Sequence, residues 1–221
     1  MRTQLDPLLA EAVARLADEE IVTRVLDGET ALFELIVRRY NQRLFRATRA
    51  ILRDDNAAED AMQEAYLRAF AKLDQFAGEA KFSTWLTKIA VYEALGRLRR
   101  AKSEEELPET MDTSDNPERT AYGRELQTAI EKAVDTLPPL YRSVFVMREV
   151  EEMSVAETAD CLGITEESVK TRIHRARALL RDRLDRAIGK ASIQAFSYLG
   201  HRCDRMTHAV MERIFQSSDH R

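Results

Sequence analysis

Glycine and proline are scarce in these 221 residues, seven and five respectively, which argues against a turn-dense sandwich or barrel and favours helices. Cysteine is scarcer still. Cys161 and Cys203 are too few for a disulfide framework and fit the reducing cytoplasm. No stretch approaches the roughly 18 uncharged apolar residues that a membrane helix needs. The N-terminal run Leu8 to Leu16 is broken by Glu11 and Arg15, so neither membrane insertion nor a signal peptide is expected. What the chain does have is charge, 33% Asp, Glu, Lys and Arg, beside 44% hydrophobic residues, enough apolar surface for real cores. At roughly 150 residues per domain its length predicts one or two domains, and the expected fold is all-α.

The net charge of −4 hides strong segregation. Arg38 to Arg53 carries six bases and no acid, and Asp54 to Glu64 five acids and no base. Lys81 to Lys102 then has six bases against Glu93 alone, whereas Ser103 to Glu118 has seven acids and no base. Without those seven acids the net charge becomes +3, so a nucleic-acid partner is compatible with the mildly acidic average.

Ser103 to Glu118 also lacks apolar periodicity and contains Pro108 and Pro117, so it reads as a flexible acidic linker between two small helical domains. In the first lobe Phe33, Ile36, Tyr40, Leu44 and Ile51 recur at helical spacing, and Met62, Tyr66, Phe70 and Leu73 do so again. Asn56 with Glu59 suits a capping box for the second of these helices, Gly78 ends the segment behind it, and Ser83 suits the cap of a third helix running to about Ala101. The second lobe opens with an amphipathic helix through Leu126, Ile130 and Val134. Pro138 and Pro139 restart it, Ser154 with Glu157 forms a capping box, Gly163 is a stop, and Thr165 caps the helix that follows. That makes four short helices.

Three constellations carry chemistry. Ala159, Gly163 and Val169 stand at the spacing of a helix-turn-helix. On the helix after the turn, Thr171, His174, Arg175 and Ala178 share one face, while Lys170, Arg172 and Arg177 flank it toward phosphates. Arg175 can fork onto a guanine edge and Thr171 can meet a neighbouring base. Second, Phe76, Gly78, Lys81, Phe82 and Trp85 couple rings to a glycine turn ahead of a helix bearing Lys88, Arg97, Arg99 and Arg100, a combination suited to single-stranded nucleic acid. Third, Met62, Ala65 and Tyr66 face the core while Asp60, Gln63, Glu64 and Leu67 point away, an acidic stripe beside an exposed leucine that suits protein docking. Cys161, between apolar neighbours, is expected to pack inside. No phosphate-cradling glycine loop, paired metal-ligand motif or nucleophile–base arrangement is visible, so neither enzyme activity nor a cofactor is expected.

From roughly Thr23 to Ala187 these residues resemble bacterial RNA polymerase sigma factors of the sigma-70 family, in the compact extracytoplasmic-function group. Asp60-Ala61-Met62-Gln63-Glu64-Ala65 is similar to the helix that binds core polymerase, and Lys81-Phe82-Ser83-Thr84-Trp85-Leu86 to the start of the promoter-melting region. Leu137-Pro138-Pro139 through Arg177 resembles the domain that reads the upstream promoter element. The resemblance implies that Asp60, Gln63 and Glu64 engage the β′ subunit of core RNA polymerase, itself bound through β and β′. It implies that the loop Phe76 to Lys81 captures a base flipped from the minus-ten strand, and that Lys170, Thr171, Arg172, His174, Arg175 and Arg177 lie on the minus-thirty-five recognition helix. Two positions depart from the common pattern, Tyr92 where many members carry Asn and Gly96 where many carry an acid.

The implied organisation is an N-terminal extension (residues 1–22), region 2 (23–102), the linker (103–119), region 4 (120–188) and a C-terminal extension (189–221). The implied function is promoter-specific transcription initiation, with promoter DNA bound double-stranded upstream and single-stranded at the minus-ten element. The competing reading is a dimeric helix-turn-helix regulator that does not replace the sigma subunit. The tail, with Phe196, Leu199, Met206, Val210 and Ile214, suggests one more amphipathic helix. Family members are commonly held by an anti-sigma factor, a role the tail can also take. His201, Cys203 and His208 are too irregularly spaced to mark a metal site.

Overall fold

The computed structural model describes residues 16–104, 130–181 and 201–218. Every regular element among them is helical. Helix α1 (Asp18–Leu26) carries Asp18, Glu19 and Glu20 in its first turn, where acids favour the helix dipole, and buries Ile21, Val22 and Val25. It is part of the first lobe, so a boundary at Thr23 cuts through it. Helix α2 (Phe33–Leu52) buries the predicted stripe, including Phe33, Ile36, Val37, Tyr40, Leu44 and Ile51. Helices α3 (Asp55–Ala71) and α4 (Phe82–Glu104) complete this lobe. The Tyr66 hydroxyl donates to the Val37 carbonyl at 3.1 Å, and the buried Glu93 carboxylate accepts from Arg68 at 3.0 Å and Arg97 at 3.2 Å, which ties α3 to α4.

Two caps differ from expectation. The N-cap of α3 is Asp54, whose carboxylate accepts the Ala57 N–H at 2.6 Å; Asn56 lies inside the helix. Arg53 takes a left-handed conformation (φ 62°) that ends α2, so the chain turns early and the next extended residue, Asp54, takes the cap. Ser83 is also intrahelical, since α4 starts at Phe82 and the Lys81 carbonyl already accepts the Thr84 and Trp85 N–H groups.

In the second lobe residues 130–135 are helical. Helix α5 (Pro139–Phe145) has proline in its first turn and runs into a π-helical turn, Val146–Val150. Helix α6 (Val155–Leu162) starts in the predicted Ser154–Glu157 capping box and stops at Gly163, left-handed at φ 63°. Thr165 accepts the Ser168 N–H at 3.2 Å ahead of α7 (Glu166–Arg181). Val144, Ala159 and Val169 form the small buried centre of the helix-turn-helix. The predicted opening helix is described only from residue 130 on, and the acidic linker beyond Glu104 lies outside the described residues.

The two lobes are docked against each other. Ala47, Ile51, Ala61, Val91 and Ala94 from the first meet Met147, Met153 and Cys161 from the second in one buried cluster. Arg142 of α5 is fully buried. It donates to Ala50 O of α2 at 2.5 Å, to Leu137 O at 3.1 Å and to Asp135 O at 3.2 Å. The first of these is among the last carbonyls of α2, which have no partner within the helix. Burial pulls the Arg142 pKa down to about 10, so it remains a cation at neutral pH. Arg46 meets Glu151 at 3.0 Å and Arg49 meets Asp135 at 2.5 Å. Much of the base-rich run Arg38 to Arg53 therefore pairs with acids from distant parts of the chain.

The tail supplies helix α8 (His201–Ser218), which lies across α2 and α3 and buries Met206, Val210, Met211 and Ile214. Burying a side chain of this size contributes about 1.5–3 kcal/mol before ordering costs. The predicted apolar positions Met206, Val210 and Ile214 lie on that face; Phe196 and Leu199 are outside the described residues. Replacing Arg142 by Met should destabilise the protein by about 3 kcal/mol, because three carbonyls lose a charged donor. Urea unfolding followed by circular dichroism measures it, and an unshifted midpoint would contradict the role assigned to this side chain.

Candidate nucleic-acid interface

The residues grouped on α7 from the sequence share one exposed face. Val169, Ala176 and Leu180 of α7 are buried, and this rotates Lys170, Thr171, His174, Arg175, Arg177 and Ala178 outward, all exposed, with Arg172 half-buried at the flank. Arg175 donates to the Tyr141 hydroxyl at 3.3 Å, and Arg177 pairs with Glu149 at 2.6 Å. Both contacts hold the guanidinium groups beside the face without burying them. A convex helix carrying a hydroxyl, an imidazole and a guanidinium in one row is suited to base edges in a major groove.

The aromatic group before α4 is a packed cluster. Phe76 meets Phe82 edge-on at 5.2 Å between ring centroids and Trp85 at 5.5 Å. Phe82 is only 1% exposed, so it serves the core and offers no face to a base; Phe76 and Trp85 remain half-buried. Residues 77–81 are exposed, and Gly78 turns the chain at φ 72°, a conformation that favours glycine. The loop thus stands open on a rigid aromatic base.

The helix behind it is covered. Lys88 pairs with Asp160 of α6 at 2.6 Å, Thr84 donates to Glu157 at 3.0 Å, and Lys81 lies 3.5 Å from Glu157. The Ser154 backbone N–H, opposed by burial and aided by the Ser154 side chain, Thr84 and Lys81, holds the Glu157 pKa down at about 2. This carboxylate stays ionised across the physiological range. Farther along α4, Arg97 and Arg100 reach the buried Glu93 and Arg99 is exposed. The Tyr92 hydroxyl stands beside the turn glycine Gly163, 3.8 Å from where a Cβ would project. Tyr92, one of the two departures from the family pattern, therefore faces the other lobe.

In the acidic stripe, Asp60 is exposed, while Gln63, Glu64 and Leu67 are half-buried. Arg213 of α8 donates to Gln63 at 3.2 Å and lies 3.9 Å from Glu64. Arg97 approaches Asp60 at 3.7 Å. The two described members of the tail trio point apart: the Cys203 sulfur accepts from Asn41 at 3.0 Å, and His208 pairs with Glu212 at 3.5 Å. Five residues of separation put them about 140° apart around the helix. The side chain of His201 is outside the described residues.

Sequence reasoning missed the seam between the lobes. Its polar members include Arg46, Arg49, Lys81, Thr84, Lys88, Asp135, Arg142, Glu151, Glu157 and Asp160. A signal for it existed in Thr84, a polar residue on the core side of α4 and only 2% exposed, but a threonine there also fits ordinary helix packing.

The family model for Sigma-70 region 2 matches residues 36–104 and that for Sigma-70, region 4 matches residues 127–180. The chain is 32% identical over 176 residues to the ECF RNA polymerase sigma factor SigW of Bacillus subtilis, covering 74% of this chain and 94% of that protein. It is 35% identical over 164 residues to the ECF RNA polymerase sigma factor SigM of Mycobacterium tuberculosis, covering 74% and 83%. Among solved structures, CnrH in complex with the cytosolic domain of CnrY aligns with a TM-score of 0.56 at 25% identity, over 78% of this chain and 99% of that one. The fold is shared as well with the sigma factor RpoE in complex with the anti-sigma factor NepR from Bartonella quintana, at TM-score 0.56 and 21% identity, over 73% and 98%.

Burial, together with the nearby Asp160 charge, pushes the Cys161 thiol up to about 12, and its residue lies in the seam. At pH 8 the native chain should therefore show at most one thiol reactive toward a disulfide reagent, with Cys161 reacting only after the lobes part or the chain unfolds. Two rapidly reacting thiols in the native protein would contradict the closed seam.

Proposed function

Because the chain belongs to the bacterial RNA polymerase sigma factors of the sigma-70 family, in their extracytoplasmic-function group, we propose that it binds core polymerase and directs it to specific promoters. It assists promoter opening and carries out no reaction of its own. Its place of action is the cytoplasm, where the chromosome and polymerase are. The observation that carries this reading is the exposed face of α7, Thr171, His174, Arg175 and Ala178 with Lys170, Arg172 and Arg177 around it, in a chain that also contains region 2. The second region distinguishes this function from that of a free-standing dimeric regulator.

Division of labour follows from the chemistry of each surface. Face α7 meets duplex DNA in the major groove at the minus-thirty-five element: Arg175 and Thr171 read base edges, and the flanking cations grip phosphates. The exposed loop 77–81, with Phe76 and Trp85 beneath it, receives a base extruded from the minus-ten strand, an extrusion that costs a few kcal/mol of stacking. Lys88, Arg97, Arg99 and Arg100 of α4 follow the backbone of that strand. Asp60, Gln63, Glu64 and Leu67 dock on the polymerase β′ subunit.

Geometry adds a requirement. The element names place the two promoter sites about 25 base pairs apart, about 85 Å of duplex at about 3.4 Å per pair. A compact chain of this length has a radius of gyration of about 17 Å and hence a diameter of about 45 Å. The docked lobes therefore cannot hold both elements at once, and the working state is an open one. The step from Glu104 to Ile130 spans at most about 90 Å of extended chain, sufficient for that separation.

Runoff transcription with purified core polymerase on a genomic fragment library tests this function and yields the promoter sequence. In that assay Arg175→Ala should relax preference at one base position at a cost of about 1–3 kcal/mol, whereas Arg172→Ala should weaken all promoters alike and flatten the salt dependence. An equal loss on every promoter for Arg175→Ala would remove its base-reading role, and no transcription above core polymerase alone would remove the sigma function.

A further inference from the structure

Helix α8 covers the surface assigned above to polymerase. Arg205 pairs with Glu59 at 2.7 Å, and Arg213 donates to Gln63 and approaches Glu64. The helix is anchored on α2 as well: Asp204 accepts from Arg38 at 2.7 Å, and the fully buried Asn41 amide donates to Cys203 O at 3.2 Å, Cys203 Sγ at 3.0 Å and Thr207 Oγ1 at 3.3 Å. Between these polar ends Met206, Val210, Met211 and Ile214 seal the helix against the first lobe.

We infer that α8 is a resident ligand of the docking stripe, a cationic amphipathic helix that occupies in cis the surface a basic helical element of core polymerase must contact. The inference rests on the sigma reading of Gln63 and Glu64. The charge pattern carries it. The acidic stripe selects a partner that brings cations on a helical surface with an apolar flank, and α8 brings Arg205 and Arg213 at i and i+8 on one face beside four buried apolar residues. Gln63 and Glu64 cannot serve both partners at once. Polymerase binding then requires displacement of α8, and the apparent affinity falls by the fraction of molecules in which the stripe is uncovered.

Three full-length proteins test this against purified core polymerase: the wild type, the charge-reversed Arg205→Glu/Arg213→Glu variant, and Val210→Asp. In the first variant glutamates face Glu59 and Glu64, and in the second a carboxylate enters the apolar seal. Both should bind core polymerase about tenfold more tightly than the wild type in a fluorescence titration at low salt. Amide exchange over residues 203–216 of the wild type should accelerate when core polymerase binds. Circular dichroism verifies that the variants remain folded; if Val210→Asp does not, the charge-reversed chain, altered only on exposed residues, decides. Equal affinities for all folded chains, or residues 203–216 still protected in the polymerase complex, overturn the inference. Failure of every chain to bind core polymerase overturns the sigma reading itself.

Discussion

The guanidinium of Arg142 is the fully buried polar link in the seam between the two helical lobes. It sits fully buried, with one donor on the last turn of α2 and others on the chain just before α5. A buried charge is weak evidence for net stability, because its desolvation offsets most of the attraction, but removing one partner leaves the others stranded. The rest of the seam combines apolar and polar contacts. Its apolar part has two pieces, a small cluster rich in alanine and methionine and the main core of the first lobe, which runs on into Ile130, Val134, Leu137, Phe145 and Val150 of the second, and its rim is made of ion pairs such as Lys88 with Asp160 and Arg46 with Glu151. Directional polar contacts around a shared apolar core specify one register, and a partner that opens the seam must compensate for both.

Closure distributes the functional surfaces unequally. The α7 face stays exposed, as does the loop 77–81. The first half of α4 lies under α6, and Gln63 and Glu64 of the acidic stripe lie against α8 while Asp60 stays exposed. In the proposed function the order of events begins at the polymerase surface, since the minus-ten strand and the minus-thirty-five duplex are too far apart for the docked lobes. Under that proposal, opening by the polymerase couples the two DNA contacts to formation of the holoenzyme, and a chain without polymerase is expected to grip a promoter weakly.

Much of this was legible in the sequence where a local rule decides. The Ser154–Glu157 box, the Gly163 stop and the apolar spacing of α2 depend on residues within one or two turns, and all appear where the pattern places them. At the start of α3 the local rule was ambiguous: Asp54, Asp55 and Asn56 are all good caps, and the left-handed Arg53 decided between them. The seam and the seat of α8 were hidden for a different reason. Charge blocks read along the chain say that Arg46 and Arg49 are basic, but not that Glu151 and Asp135, roughly ninety or more residues away, will neutralise them. Phe82, which carried a motif resemblance, went to the core because an aromatic next to a glycine turn packs wherever neighbouring rings offer an edge.

The lobes are docked in the free chain, and the proposed function requires them to separate when the chain works. Energy transfer between dyes placed at residues 79 and 156, on either side of the Lys81–Glu157 contact, addresses this directly. Near-complete transfer is expected in the free protein, with its loss once core polymerase and promoter DNA are bound. Equal transfer in both states, or little transfer in the free chain, would contradict this expectation.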